Sequence, residues 1–247
     1  MILAIIPAFF CTSNNTEEDE HNSGKILASS KVSFGDFIQG ITTTLKNKPF
    51  QKICIATFLI FNAFQTIAAF SWFIVVYYMN NGDPVQAGVW PTLFGSVGAL
   101  CTCFLVIPIV NHSAQKYGKK RTLLYTQSIS IFGYMLFWWG FSPDKLWLML
   151  LPLPLFAFGI GGLFTIMMSM TADICDMDEL ETGERREGIF GAIYWWMVKF
   201  GAALAGGASG LILSVIGFDQ STAIQTEETL ILLRLSYIFI PIIGTLA

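Results

Sequence analysis

Residues 189–217 read IFGAIYWWMVKFGAALAGGASGLILSVIG and carry a single charge, Lys199. A bilayer span needs about 20 apolar residues, so this stretch predicts a transmembrane helix with a lysine inside it. A helix rises about 1.5 Å per residue, which puts Lys199 roughly 15 Å from the start of the span. A lysine stem reaches about 6 Å, too short to carry the ammonium clear of the hydrocarbon core. A charge near the midplane costs on the order of 3 kcal/mol, so such a residue is functional by default.

The rest of the chain agrees with a membrane setting. Of 247 residues, 54% are hydrophobic and 13% are charged. A soluble domain carries about 25% charged residues. The mean hydropathy is +0.60, and 22 Phe and 7 Trp bring the aromatic share to 15%. A soluble globule cannot cover that much apolar surface, and extended disorder is excluded by the same composition. With 14 Lys and Arg against 17 Asp and Glu, no basic excess exists for nucleic acid. The fold class is an all-α polytopic membrane bundle.

Working outward from 189–217, further spans are predicted at 52–79, 86–110, 122–141 and 146–173. Residues 1–11 (MILAIIPAFFC) are too short to cross and read as the end of a transmembrane helix. They lack the positive n-region and cleavage site of a signal peptide. Residues 229–247 begin another span and stop inside it. The expectation is therefore about five full spans plus two partial ones, in a piece of a larger membrane protein. Residues 12–51 form a loop of two parts. The acidic stretch 12–24 reads as a linker. In 33–48, Phe34, Phe37, Ile38 and Ile41 fall on one helical face, which predicts an amphipathic helix on the membrane surface. Residues 52–247 form the transmembrane bundle.

Lysine and arginine set the orientation. Lys25, Lys31, Lys46, Lys48 and Lys52 lie in or beside 12–51. Lys116, Lys119, Lys120 and Arg121 lie in or beside 111–121, and Arg185 and Arg186 in 174–188. The loops between these hold only Lys145, with Arg234 just beyond. The loops 12–51, 111–121 and 174–188 are therefore assigned to the cytoplasm, and the chain to the cell (inner) membrane.

The sequence offers no enzyme constellation. Its two histidines, His21 and His112, lie in different loops, and no nucleophile elbow, zinc-protease helix or phosphate loop is present. Cys11, Cys54, Cys101, Cys103 and Cys175 have no metal-ligand spacing. The acidic run from Asp173 to Glu184 lacks the order of a calcium loop and reads as a helix end that makes salt bridges. No resident metal or cofactor is expected.

No Asp or Glu lies inside the other spans, Asp173 at a span edge excepted. The partner of Lys199 must then be a substrate, cavity water or a carboxylate on another part of the protein. Ala192, Trp195, Trp196, Ala202, Ala203 and Gly206 lie on or near its face at helical spacings. An indole beside an ammonium suits a sugar, stacking on C–H faces while the ammonium binds hydroxyls. The small-residue run 201–210 allows close helix approach. Pro152, Pro154, Gly159, Gly161 and Gly162 predict a bendable span. Asn62, Gln65 and Thr66 form a polar stripe expected to face a cavity or a helix.

The segment 171–188, TADICDMDELETGERREG, resembles a loop of the glycoside–pentoside–hexuronide:cation symporters, the melibiose-permease-like branch of the major facilitator superfamily. In that family the loop joins transmembrane helices ten and eleven on the cytoplasmic side. Tyr117-Gly118-Lys119-Lys120-Arg121 resembles the turn between helices eight and nine, a superfamily-level feature. By this resemblance the chain is the C-terminal half of such a transporter, from the end of helix six into helix twelve. Lys199 then falls where melibiose-permease-like members carry a lysine near the sugar. Two positions depart. Phe164 stands where some members place a tryptophan beside the sugar, and Trp195 where melibiose-type members have a small polar residue, so the pocket is not melibiose-like.

The reading that follows is sugar symport with Na+ or H+ by alternating access. Lys199, Trp195, Trp196 and Phe164 are the candidate substrate residues. Asp173, Asp176, Arg185, Arg186 and Glu187 are the candidate cytoplasmic gate. The implied partners are membrane lipid, a small sugar and N-terminal helices of the same protein, which would also hold most of the coupling-cation site. Two alternatives stay open: a related carrier of a lipid-like or other small solute, and a non-transporting membrane sensor.

Overall fold

The computed structural model describes residues 34–219, 222 and 224–246, with the backbone alone for 34–39. The expected helix end at 1–11 and the linker at 12–24 lie outside the described residues. The chain divides into two compact units, Met1–Thr43 and Thr44–Ala247. In the first, the described part is the opening of helix α1, Phe34–Lys46, so a helix forms where an amphipathic one was expected.

The second unit is a bundle of six long helices. They are α2 (Lys48–Tyr78), α3 (Pro84–Tyr117), α4 (Lys119–Gly140), α5 (Leu146–Thr182), α6 (Glu187–Val215) and α7 (Glu227–Leu246). All except α4 are long and apolar enough to cross a membrane by length and composition. That includes α7, expected as a partial span, whose 20 residues reach about 30 Å. No strand occurs among the described residues.

Local chemistry starts and stops these helices. The Asn47 side chain accepts from the Phe50 N–H at 3.1 Å and Pro49 occupies the first turn, so α2 begins there. The Asp83 carboxylate accepts from the Val85 and Gln86 N–H groups at 2.8 and 3.2 Å, and Pro84 follows it to open α3. Gly183 ends α5 at φ 71°, the left-handed conformation that favours glycine, and its N–H donates to the Glu179 carbonyl at 2.8 Å.

The polarity of α4 is used internally. Thr122, Thr126, Gln127 and Ser130 are all buried. The Gln127 Nε2 donates to the Gly159 carbonyl on α5 at 3.1 Å. A Cβ on Gly159 would collide with Ser130, one on Gly162 with Thr126, and one on Gly161 would lie 2.6 Å from Val106. The glycines expected to bend this span are thus where α3 and α4 press closest to it. The helix type of α5 nevertheless changes along its length, from a 3-10 turn at Leu146–Leu150 to a π turn at Leu163–Met167.

Two large apolar clusters hold the bundle at its ends. One joins Phe50, Ile53, Ile174, Phe190 and Tyr194 around the start of α2. The other joins Phe70, Ile74, Phe137, Phe141 and Tyr237 around its finish. Between them α2 crosses α6, where the Asn62 Nδ2 donates to the Gly201 carbonyl at 3.2 Å. Thr66 is buried and its hydroxyl donates to the Asn62 carbonyl. The polar stripe therefore serves a helix contact, as expected for Asn62 and Thr66.

Candidate functional site

α6 presents two faces. Phe190, Tyr194, Val198, Gly201 and Ala205 are buried. The opposite face carries Ala192, Trp195, Trp196, Lys199, Ala203, Gly206 and Gly210. None of these is buried, and a Cβ on Gly206 or Gly210 would meet nothing within 4 Å. The small-residue run therefore splits. Gly201 and Ala205 serve close packing, whereas the later glycines line a face that no described residue covers.

Lys199 is near the middle of α6 on that open face. It makes no hydrogen bond or ion pair among the described residues. Trp195 is one turn before it and stacks on Phe164 of α5, with ring centroids 6.3 Å apart and planes at 29°. Phe164 in turn meets Phe61 of α2 edge-on at 5.8 Å. Trp196 is placed differently: it stacks on Phe200 of its own helix at 5.1 Å and 6°. Phe164, Trp195 and Lys199 thus form one line across two helices, with Trp196 on its outer flank.

The charged loop between α5 and α6 is also resolved into separate contacts. Asp173 pairs with Lys119 at 2.6 Å, and that lysine also donates to the Ser169 carbonyl at 3.3 Å. Arg186 donates to one oxygen of Asp178 from Nη2 at 2.7 Å and from Nε at 3.0 Å. Their side chains are only 10% and 6% exposed. Arg185 reaches Glu187 at 3.2 Å and Glu179 at 4.0 Å, on the surface. The hydrogen bond to Glu187, with the Glu179 charge nearby, holds the Arg185 guanidinium above its usual range. Asp176 makes no ion pair among the described residues. Of the five expected gate residues, Asp173 and Arg186 tie different elements together, Arg185 and Glu187 pair within the loop, and Asp176 stands apart.

Two partners in these contacts were not singled out from the sequence as gate residues. Lys119 was read only as part of a basic turn. Asp178 was read as one of an acidic run, yet its spacing distinguishes it. Thr171, Ile174, Cys175 and Asp178 follow the i, i+3, i+4, i+7 pattern and are the buried face of this part of α5. A carboxylate on that face needs a partner.

A third contact holds the far end of the bundle. The Arg234 Nη1 on α7 donates to the Tyr78 hydroxyl at 2.8 Å, and Nη2 donates to the Trp138 carbonyl. The guanidinium lies 4.4 Å over the Tyr78 ring and 4.1 Å over the Trp138 ring. The sequence marked Arg234 only as a basic residue near the loop opposite the Lys and Arg bias. The two sets of contacts gather alternate loops at opposite ends of the bundle.

The chain matches the family described as MFS/sugar transport protein over residues 1–247. It belongs to that family. Its similarity to individual members is distributed over most of its length. It is 28% identical over 201 residues to the glucuronide carrier protein homolog of Escherichia coli K12, covering 81% of this chain and 42% of that one. It is 26% identical over 209 residues to the isoprimeverose transporter of Lactiplantibacillus pentosus, covering 83% and 42%. A putative sulfoquinovose importer of Salmonella typhimurium is 26% identical over 198 residues, covering 80% and 40%. The chain thus spans about two fifths of the length of these relatives. They bear out the resemblance to glycoside–pentoside–hexuronide symporters, and the five apolar helices agree with an integral protein of the cell membrane. Within the MFS/sugar transport family, transporters rather than enzymes are the relatives at hand.

Proposed function

We propose that this chain is the C-terminal half of a sugar carrier and forms one wall of its central site. Lys199 carries the reading: it is a charge in mid-span, on a helix face that no described residue covers. Its ammonium donates to sugar hydroxyls or faces carboxylates on N-terminal helices, while Trp195 and Phe164 offer aromatic faces to C–H groups. Trp196 flanks the same opening. A carrier of this type binds substrate near the midplane and rocks two halves around it.

The coupling ion is Na+ or H+, held mainly by N-terminal helices. No covalent chemistry on the substrate is required, so the protein is not an enzyme. Lipid surrounds the bundle. The pairs Lys119–Asp173 and Arg186–Asp178 hold α4, α5 and α6 together at the cytoplasmic end, and Arg185 and Glu187 cover that end. The test is cation-driven sugar uptake by the full-length carrier with Lys199→Ala, beside surface expression. Accumulation equal to the parent's makes Lys199 a packing residue and ends the reading.

A further inference from the structure

Residues 84–143 contain no Asp or Glu. The α3–α4 hairpin within them carries Lys116, Lys119, Lys120 and Arg121 around its turn, at the end of the bundle that the Lys and Arg bias assigns to the cytoplasm. One of the four is compensated: Lys119 pairs with Asp173 of α5. Lys116, Lys120 and Arg121 are exposed and make no ion pair among the described residues.

Two aromatic rings lie among these cations. Gly118, at φ 83°, turns α3 into α4, and the Tyr117 and Tyr125 rings meet edge-on with centroids 6.5 Å apart. The Lys116 ammonium lies 5.2 Å from the centre of the Tyr117 ring. Both tyrosines are exposed. Tyrosine beside a basic residue suits a membrane–water interface, where the ring meets acyl chains while the hydroxyl and the cation meet headgroups.

The patch continues into apolar surface. α4 buries Thr122, Thr126, Gln127 and Ser130 and exposes Leu124, Tyr125, Phe132, Met135 and Trp139. This is inside-out relative to a helix in water, so the polar average of α4 conceals an outer face suited to lipid. Arg121, Tyr125, Ser128, Phe132, Met135 and Trp139 recur at alternating steps of four and three, which keeps them in one stripe. From Tyr125 to Met135 the stripe runs about 15 Å, half the depth of a hydrocarbon core about 30 Å thick.

We infer that this surface holds an anionic phospholipid, with its phosphate at Lys116, Lys120 and Arg121 and one acyl chain along Tyr125, Phe132 and Met135. Charge selects the headgroup, because clustered basic groups at the cytoplasmic membrane surface attract anionic lipid. The stripe selects a lipid over a soluble anion: inorganic phosphate or an acidic peptide would meet the cations and leave the apolar surface unused. The site lies on the face of α4 opposite its contact with α5 and is independent of what the carrier transports.

The test is native mass spectrometry of the purified full-length carrier in mixed micelles with equimolar palmitoyl-oleoyl phosphatidylglycerol and phosphatidylcholine. The two lipids share acyl chains and differ in net charge, so the ratio of their first dissociation constants reads the headgroup. Phosphatidylglycerol is expected to bind at least tenfold more tightly. The triple variant Lys116→Gln, Lys120→Gln, Arg121→Gln should bring the ratio to within about twofold of one. Lys46→Gln, Lys48→Gln and Lys52→Gln together remove the same charge around the start of α2 and should leave a preference of at least fivefold. Tyr125→Ser with Phe132→Ser should weaken phosphatidylglycerol binding at least fivefold. Every substituted side chain is exposed, so none of these variants removes a core contact.

Equal affinity for the two lipids overturns the site. So does an equal loss of preference in the two triple variants, which traces the preference to overall charge. Unchanged phosphatidylglycerol affinity in the Tyr125 and Phe132 double variant overturns the placement of the chain on α4. Displacement of phosphatidylglycerol by an equal concentration of inorganic phosphate also overturns the proposal, because the cations then take a free anion and no lipid is needed.

Discussion

The Arg186 guanidinium donates twice to the same carboxylate oxygen of Asp178, and both side chains are almost wholly buried. The pair joins the last turns of α5 to the first residue position before α6. Gly183 makes it possible, because its left-handed backbone turns the chain back so that residues eight apart meet. Removing one partner strands the other charge in a buried place, which typically costs about 3–5 kcal/mol. Arg186→Ala should therefore lower the thermal midpoint of the detergent-solubilised carrier clearly. The double variant Arg186→Met with Asp178→Leu should recover most of that loss. In transport assays, Arg186→Ala should reduce turnover more than sugar affinity. Lost binding with unchanged turnover would place this arginine in the sugar site instead.

Lys119 and Asp173 are closer, at 2.6 Å, but their side chains are 34% and 55% exposed. Exposed pairs contribute only about 0–1 kcal/mol, because water and salt screen them. Lys119→Ala should shift the thermal midpoint far less than Arg186→Ala, and the shift should shrink further in high salt. An effect as large as that of Arg186→Ala would contradict this ranking of the two pairs.

Lys199 predicts a separation of insertion from transport. Replacing it with Ala removes a charge that costs on the order of 3 kcal/mol in a bilayer, so surface expression should be normal or better. Coupled accumulation should collapse. Lys199→Arg should restore it only in part, because a planar guanidinium does not reproduce the geometry of an ammonium. Uptake and expression measured on the same cells distinguish the two effects.

The α4–α5 contact should tolerate no added methyl group at Gly162, where a Cβ would overlap Thr126. Overpacking of this kind costs about 1–3 kcal/mol. Gly207→Ala offers the contrast. Beyond its chain neighbours and its own helix backbone, no described atom lies within 4 Å of its Cβ, and alanine is favoured over glycine inside a helix by up to about 1 kcal/mol. Thermal midpoints should fall for Gly162→Ala and hold or rise for Gly207→Ala.

Arg234 bridges α2, α4 and α7 through two rings and two hydrogen bonds. Lysine keeps the charge but cannot lie flat between Tyr78 and Trp138 while donating to both. Arg234→Lys should lose about 1–2 kcal/mol of stability, the scale of a partly desolvated cation–π contact. A midpoint equal to the parent's would show that the bridge contributes nothing.

The spans expected at 52–79, 86–110, 146–173 and 189–217 were legible in the sequence because a span follows from a one-dimensional quantity, whereas 122–141, expected as a full span, forms a helix that is not apolar enough to count as one. A bilayer demands about 20 apolar residues per crossing, and Lys and Arg collect on one side. Lys199 was legible for the same reason: one charge in an apolar run stands out without any knowledge of its neighbours. The loop 171–188 carried the family resemblance in its residue order.

What the sequence could not decide was pairing across helices. Acidic and basic residues of the 173–187 loop were all plausible partners, and only the turn at Gly183 and the approach of α4 select Asp178 for Arg186 and Lys119 for Asp173. Gly159 and Gly162 read as flexible until Ser130 and Thr126 were placed against them. Phe164 and Trp195 are distant in sequence and stack only because α5 meets α6. A helix's own sequence sets which of its residues share a face. Which face meets which depends on packing the spans against one another, and that arrangement exists only in three dimensions.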